Sequence, residues 1–157
     1  KFTTMLMSML KLLPIFPIYY QGKTNFYPIH VSDICEIIDN IISNEIKSET
    51  IECIGPEKIS FKHILQKLIK SLDINRILLP APLFIAKLFA NIFEITMKNP
   101  LLTKDQLILL SYDNSPSGKY KTNLDLKLNN NLKYFEKEIL KYSYMWKDGG
   151  EFSKEKN

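Results

Sequence analysis

Glycine is scarce, and none of it is placed for phosphate chemistry. The 157 residues contain five glycines, never at GxGxxG or GxxxxGK spacing, and Gly149-Gly150 follows a helix pattern instead of opening one, so no self-contained nucleotide loop is encoded. Arginine is rarer still. Arg76 stands alone, so the formal charge of +4 comes from scattered lysines, which are point charges and not bidentate phosphate forks. With no basic stripe interleaved with stacking aromatics, nucleic acid is not expected as a partner. His30 and His63 are the only histidines, and neither a Ser/Cys-His-acid set nor an HExxH pair can be built from them. Carboxylate pairs spaced for acid–base work are not detectable either. The two cysteines, Cys35 and Cys53, fall in a predicted helix and a predicted strand without metal-ligand spacing. They read as small core residues in a reducing compartment, and no metal site is expected.

Long apolar runs are also missing. Phe2 to Leu13 imitates the hydrophobic region of a signal peptide behind Lys1, but no small-residue cleavage site follows and Pro14 and Pro17 end the run. A packed helix of a chain whose beginning is missing is the favoured reading. Ile77 to Met97 is interrupted by Pro80, Pro82, Lys87 and Asn91, short of the ~20 apolar residues that a spanning helix needs. No transmembrane segment is expected.

What is present is an alternation of strand and helix patterns. At 45% hydrophobic and 24% charged residues the chain can bury one ordinary core, and one domain is the default. Phe2 to Leu13 reads as helix, Ile15 to Tyr20 as extended, and Gln21 to Asn25 as a turn. Phe26 to Val31 reads as a short buried strand running through Ser32 into a helix capped by Asp33, with Ile34, Ile37, Ile38, Ile41 and Ile42 on one face, ending near Asn44. Glu49 to Ile54 is strand-like and stops at Gly55-Pro56. Ser60 caps the clearest amphipathic helix, in which Phe61, Ile64, Leu65, Leu68, Ile69 and Leu72 recur at helical spacing. Asn75 to Leu79 is extended, and Pro82 sits in the first turn of a helix from about Leu83 to Met97. That helix has a broad apolar stripe, read as core or as a groove against a partner domain, with a membrane-surface face as the minor alternative. A helix restarts at Thr103 with Leu107, Leu109 and Leu110; Asp113 to Gly118 is a polar loop. Leu124 to Leu128, a cap region at Asn129 to Asn131 and a helix from about Leu132 to Tyr142 precede Trp146.

Few residues are candidates for chemistry. His30 lies in an alternating strand, so it either faces a ligand or satisfies backbone groups beside the sheet; the second is favoured. Asp33 reads as a cap before a catalyst. Tyr27 either offers its hydroxyl to a pocket or is a half-buried strand tyrosine, the commoner case. No catalytic residue is assigned.

FYPIHVSDICEII, followed some twenty residues on by ETIECIGPEKISFKHIL, resembles the C-terminal half of extended and atypical short-chain dehydrogenase/reductases, in the superfamily of NAD-dependent epimerases and dehydratases. There a strand with an "hV-x-D" ending enters a helix, then a strand, then a "GP-x-x-hS/T" turn into the next helix. PLLTKDQLILLSYDN and the ending YSYMWKDGGEF narrow the likeness to the nucleotide-binding accessory subunits of respiratory complex I, NADH:ubiquinone oxidoreductase, and their bacterial relatives. The likeness runs from the Phe2 helix to Phe152.

The resemblance implies an α/β chain forming the C-terminal part of a Rossmann-like extended fold: the last sheet strands over residues 1–55 and a small, mostly helical substrate-side domain over residues 56–157. The dinucleotide-binding half, with the GxxGxxG loop and the YxxxK pair, would lie upstream, and Lys119-Tyr120-Lys121 does not replace that pair. NAD(P)H is then expected in the full-length parent and not as a tight ligand of this chain. Tyr27, Pro28 and His30 are the candidates for the edge of its pocket. Phe26 and Tyr27 stand where epimerases carry an arginine for a sugar-nucleotide diphosphate, so such a site is not expected; Pro28 suits the complex I relatives. Two functions follow. One is an accessory or assembly-type subunit of a respiratory NADH:quinone oxidoreductase with a structural or regulatory nucleotide; the alternative is the substrate-side domain of an NAD(P)-dependent epimerase, dehydratase or reductase. The implied partners are the missing Rossmann half and complex I subunits. The implied location is cytoplasmic or peripheral to the inner membrane, on the matrix side in a mitochondrion. Without its first strands the piece would expose sheet edges and apolar helix faces and be poorly soluble.

Overall fold

A computed structural model describes residues 2–46, 49–84, 104–129 and 131–152. It is an α/β arrangement. Helix α1 (Phe2–Leu12) buries Leu6, Met7, Met9 and Leu10, and Pro14 separates it from β1 (Ile15–Ile18). Asn25–Phe26 forms β2, Val31–Ser43 forms α2, Ile51–Glu52 forms β3 and Ile59–Ser60 forms β4. Helix α3 (Phe61–Leu72) and β5 (Ile77–Pro80) follow, then α4 (Lys104–Leu109), β6 (Lys121–Thr122) and α5 (Phe135–Leu140). Short 3-10 turns cover Tyr20–Gly22 and Ser143–Trp146.

The described strands pair two by two. β1 runs parallel to β5 with Ile15 opposite Ile77 and Ile18 opposite Pro80. β3 runs parallel to β6, and β2 pairs antiparallel with β4, Phe26 facing Ile59. Parallel strands are normally covered on both faces. Here Phe16 and Ile18 are buried beneath β1, while Ile15, Ile77 and Leu79 remain exposed on the other face.

Helix α3 organises the core. The Ser60 hydroxyl accepts from the His63 N–H at 3.3 Å, satisfying one of the free donors of the first turn. The helix ends on Asp73 in the left-handed conformation. Ile64, Leu65, Leu68 and Leu72 are all at most 2% exposed, as their spacing predicts. They pack with Leu6 and Leu10 of α1, Phe16 and Ile18 of β1, Phe135 and Ile139 of α5, and Trp146. The Trp146 indole N–H donates to Ser8 Oγ at 3.0 Å, so the C-terminal turn is held on α1.

Other expectations need correction. The strand expected over Phe26 to Val31 pairs only at Asn25–Phe26: Pro28 has no N–H to give, the Tyr27 carbonyl is taken by the Gly55 N–H at 3.3 Å, and α2 has already begun at Val31. The N-cap of α2 is His30, whose side chain accepts from the Ser32 N–H. Asp33 does not cap; it is fully buried and directed at Lys133. The strand over Glu49 to Ile54 shrinks to Ile51–Glu52. The helix expected over Leu132 to Tyr142 shrinks to Phe135–Leu140 and passes into the 3-10 turn. Cys35 and Cys53 are both free and exposed instead of core residues. Cys35 lies on the uncovered face of α2, and Cys53 follows the edge of β3. The helix expected from Leu83 to Met97 falls outside the described residues beyond Phe84, and the helix expected to restart at Thr103 is observed from Lys104 as α4, Thr103 itself lying outside the described residues.

Helix α2 departs from its pattern in an informative way. Of its five isoleucines only Ile37 is buried; Ile34 and Ile41 are half-buried. Val31, Cys35, Ile38 and Ile42 recur at i, i+4, i+7 and i+11 and are exposed, Val31 at 69%, Ile38 at 51% and Ile42 at 70%. The apolar face of this helix is therefore mostly uncovered.

Candidate functional site

The N-terminal joint of α2 borders a cleft of about 1410 Å³. α1, α3 and α5 build its deeper wall with Phe2, Met5, Met9, Phe61, Ile64 and Ile139. Phe2, Phe26 and Phe61 form a ring cluster with centroids 6.1 to 6.5 Å apart, within the range of favourable aromatic pairs. Tyr27 to Val31 make one rim, Glu52 to Ile54 a second, and Leu109 to Pro116 with Lys133 and Glu138 close the others. The Tyr19 phenol also borders the cleft, and burial pushes its pKa up.

The rim is set by a glycine. A Cβ on Gly55 would fall 1.7 Å from the Pro28 carbonyl oxygen, so only glycine permits the approach that lets the Gly55 N–H bond the Tyr27 carbonyl. That contact holds Tyr27, Pro28 and His30 against the cleft. All three expected pocket-edge residues line it. His63 does not: it is exposed in the first turn of α3.

Around His30 the polar groups are densely connected. Its Nδ1 accepts from the Ser32 N–H at 3.3 Å and lies 2.8 Å from Ser32 Oγ. That acceptor role leaves the ring proton on Nε2 in the neutral imidazole, and Nε2 lies 3.8 Å from Glu138 Oε2. Glu138 also receives the Lys141 ammonium at 2.7 Å. The Lys133 ammonium donates to Ser32 Oγ and, at 3.3 Å, to Asp33 Oδ1, while the Lys133 N–H donates to Asp33 Oδ2 at 2.9 Å. Asp33 is thus paired and hydrogen-bonded, as a buried carboxylate must be. Behind it the Asn129 amide donates to the Asp33 carbonyl at 3.1 Å and accepts from the fully buried Asn123 at 3.3 Å. Asn123 Oδ1 in turn accepts from the Ile54 N–H at 2.7 Å. A continuous buried chain therefore ties α2 to β3 and β6.

On the opposite rim Asp113 accepts from the Asn25 side-chain amide at 2.9 Å and from its backbone N–H at 2.8 Å. The Asn25 side-chain bond, then the backbone bond, hold the Asp113 carboxyl below its ordinary value. Cys53 borders the cleft, and although the residue is exposed overall, partial desolvation against the cleft wall raises its thiol pKa, which lowers its thiolate fraction at neutral pH. Lys133, Glu138, Asp113 and Cys53 escape sequence reasoning. Each reaches the site through tertiary packing, the Asp33-to-Lys133 pairing across 100 positions, the Asn129 bond to Asp33 and the His30–Glu138 approach joining the polar corner.

Among the described residues no group of three or more His, Cys, Asp or Glu side chains could hold a metal ion. No described helix is long and apolar enough to cross a membrane. No protein-family model matches the chain, and no curated protein matches it. The arrangement offers a large apolar cleft with one polar corner whose charged groups are hydrogen-bonded within the chain.

Proposed function

We propose that this chain is the C-terminal, substrate-side part of an NAD(P)H-binding protein of the short-chain dehydrogenase/reductase type, serving as an accessory or assembly subunit of a respiratory NADH:quinone oxidoreductase. The observation that carries the reading is the uncovered face of α2, where Val31, Cys35, Ile38 and Ile42 meet solvent. In an α/β layer such a helix face covers a sheet, and the exposed side of the β1–β5 pair needs a covering layer for the same reason. Both are accounted for by an upstream dinucleotide-binding half. Tyr27, Pro28 and His30 converge on one cleft, which supports reading it as the substrate-side pocket beside a cofactor held by that half.

The substrate-side domain of an NAD(P)-dependent epimerase, dehydratase or reductase acting on a small substrate remains the second reading, supported by the His30–Glu138 pair at the cleft. It fits less well, because Arg76 is committed elsewhere. Its guanidinium donates to the carbonyls of Leu10, Asn75 and Lys11, which leaves the described cleft wall without an arginine for a diphosphate.

The test is to tag the protein in its own cells and resolve mild-detergent membranes by native electrophoresis. Comigration with NADH:quinone oxidoreductase activity supports the accessory reading. Migration apart from that activity, with turnover of a sugar nucleotide by the purified protein, replaces it with the second.

A further inference from the structure

We infer that the cleft takes an uncharged amphiphile, a single long apolar chain carrying a neutral hydrogen-bonding head group. This inference rests on the reading above, in which the cleft is the substrate-side pocket, and it names the ligand class. Size is the first argument: about 1410 Å³ exceeds the ~300–1,000 Å³ of ordinary small-molecule sites. Wall chemistry is the second. Phe2, Met5, Met9, Phe26, Phe61 and Ile64 give a continuous apolar surface. Its methionines are unbranched and adaptable, suited to a flexible chain.

Charge is the third argument, and it selects the head group. The ionisable carboxylate, histidine and lysine groups on the described wall are His30, Glu52, Asp113, Lys133 and Glu138, and each has a partner within the chain. Glu52 accepts from the Ser117 N–H at 2.9 and 3.0 Å. Asp113 holds Asn25, Lys133 holds Asp33, and Glu138 holds Lys141 and faces His30. A phosphate or carboxylate would meet three carboxylates and one ammonium already paired with Asp33, and would lose its hydration without a counter-charge. An ammonium head would find Glu52 and Asp113 bonded only to neutral N–H donors, but both bonds lie exposed at the outer rim, where an ion pair contributes little. A neutral carbonyl or hydroxyl head needs no counter-charge, and the His30 Nε2–H, a third exposed and at 3.8 Å from Glu138 Oε2 beyond hydrogen-bond distance, is a donor at the rim while Nδ1 is held by Ser32.

Cys53 on the wall reports occupancy, and Cys35 on α2, outside the cleft, is the internal reference. The intact protein is alkylated with N-ethylmaleimide, and both sites are followed by mass spectrometry in the presence of monoacylglycerols of increasing chain length, oleate, oleylamine or NADPH. A monoacylglycerol is expected to slow Cys53 at least tenfold with Cys35 unchanged. Each two carbons removed should weaken protection about tenfold, and oleate and oleylamine should protect at least tenfold less well than the neutral lipid. Leu109→Glu, at an exposed wall position, should abolish the protection while leaving the melting temperature in place. Protection by NADPH but not by lipid, equal protection by the charged chains, or no chain-length dependence would overturn the inference. NADPH retention away from Cys53 is the readout of the proposed function itself, so the two can fail separately.

Discussion

The backbone N–H of Lys133 donates to Asp33 Oδ2 at 2.9 Å, and the ammonium of the same residue lies 3.3 Å from Asp33 Oδ1. One residue thus satisfies both oxygens of a carboxylate that is 0% exposed and pins the segment before α5 to the first turn of α2. Asp33→Ala leaves the Lys133 N–H and ammonium without their carboxylate, while the Asn129 bond to the Asp33 backbone carbonyl stays, and is expected to cost about 2–3 kcal/mol. That is at the low side for a broken buried pair, because the Lys133 side chain is 36% exposed and partly recovers solvent. Urea unfolding of the two proteins measures it; a loss below ~0.5 kcal/mol, the size of an ordinary surface change, would show that the pair is not structural.

Gly55 predicts a more local failure. With Pro28 O 1.7 Å from the site of a Cβ, Gly55→Ala must push the Tyr27–His30 rim outward. The expected loss exceeds ~1 kcal/mol, accompanied by faster alkylation of Cys53, two residues away. An unchanged Cys53 rate would mean that the rim does not depend on this contact.

The core claim is tested at α3. Leu68 is fully buried in the main cluster, so Leu68→Ala should lower stability by about 3 kcal/mol, lost transfer energy plus residual cavity. Ser60→Ala removes only the cap and should cost about 1 kcal/mol. Equal effects from the two would contradict the assignment of α3 as the central helix.

Acid should loosen the molecule. The Lys67 hydrogen bond and charge lower the Glu136 carboxyl, Asn25 lowers Asp113, and the Thr122 N–H and hydroxyl lower Asp125. A carboxyl depressed in the folded state contributes stability that is present above its unfolded value and lost as pH falls through the folded one. The denaturation midpoint should therefore decline below the ordinary carboxylate range, and Asp113→Asn should flatten that decline. A midpoint that rises on acidification would refute the assignment.

These elements differ in how far sequence could reveal them. α3 is legible because its cap, its apolar period and its burial coincide within one segment. β1 and β5 are legible as extended pieces, though nothing local announces that they pair with each other across the intervening α2 and α3. The α2 joint is where local reasoning misleads: Asp33 has the chemistry of a cap, yet its partner stands a hundred residues away, and His30 takes the cap instead. Tyr27, Pro28 and His30 stand together in one local segment that lines the cleft, whereas Lys133, Glu138 and Asp113 reach it only through tertiary packing. The cysteines look like core residues because apolar neighbours surround them in sequence; the exposed side of α2 and the cleft wall reverse that.

The uncovered stripe on α2 makes Cys35 a footprint for the covering layer that the proposed function calls for. In a longer protein carrying the proposed upstream half, Cys35 should resist N-ethylmaleimide by at least tenfold relative to residues 1–157 expressed alone, and Ile38→Glu should restore its reactivity. Equal Cys35 rates in both would mean that no sheet covers this face.

The proposed function is tested most directly by bound nucleotide. A longer protein carrying the proposed upstream half, purified without added cofactor, is denatured and its supernatant assayed for NADH and NADPH by enzymatic cycling. Near-stoichiometric nucleotide, absent from residues 1–157 prepared in the same way, is the predicted result. Such a protein that carries none and gains none on incubation with NADH or NADPH would contradict the proposal.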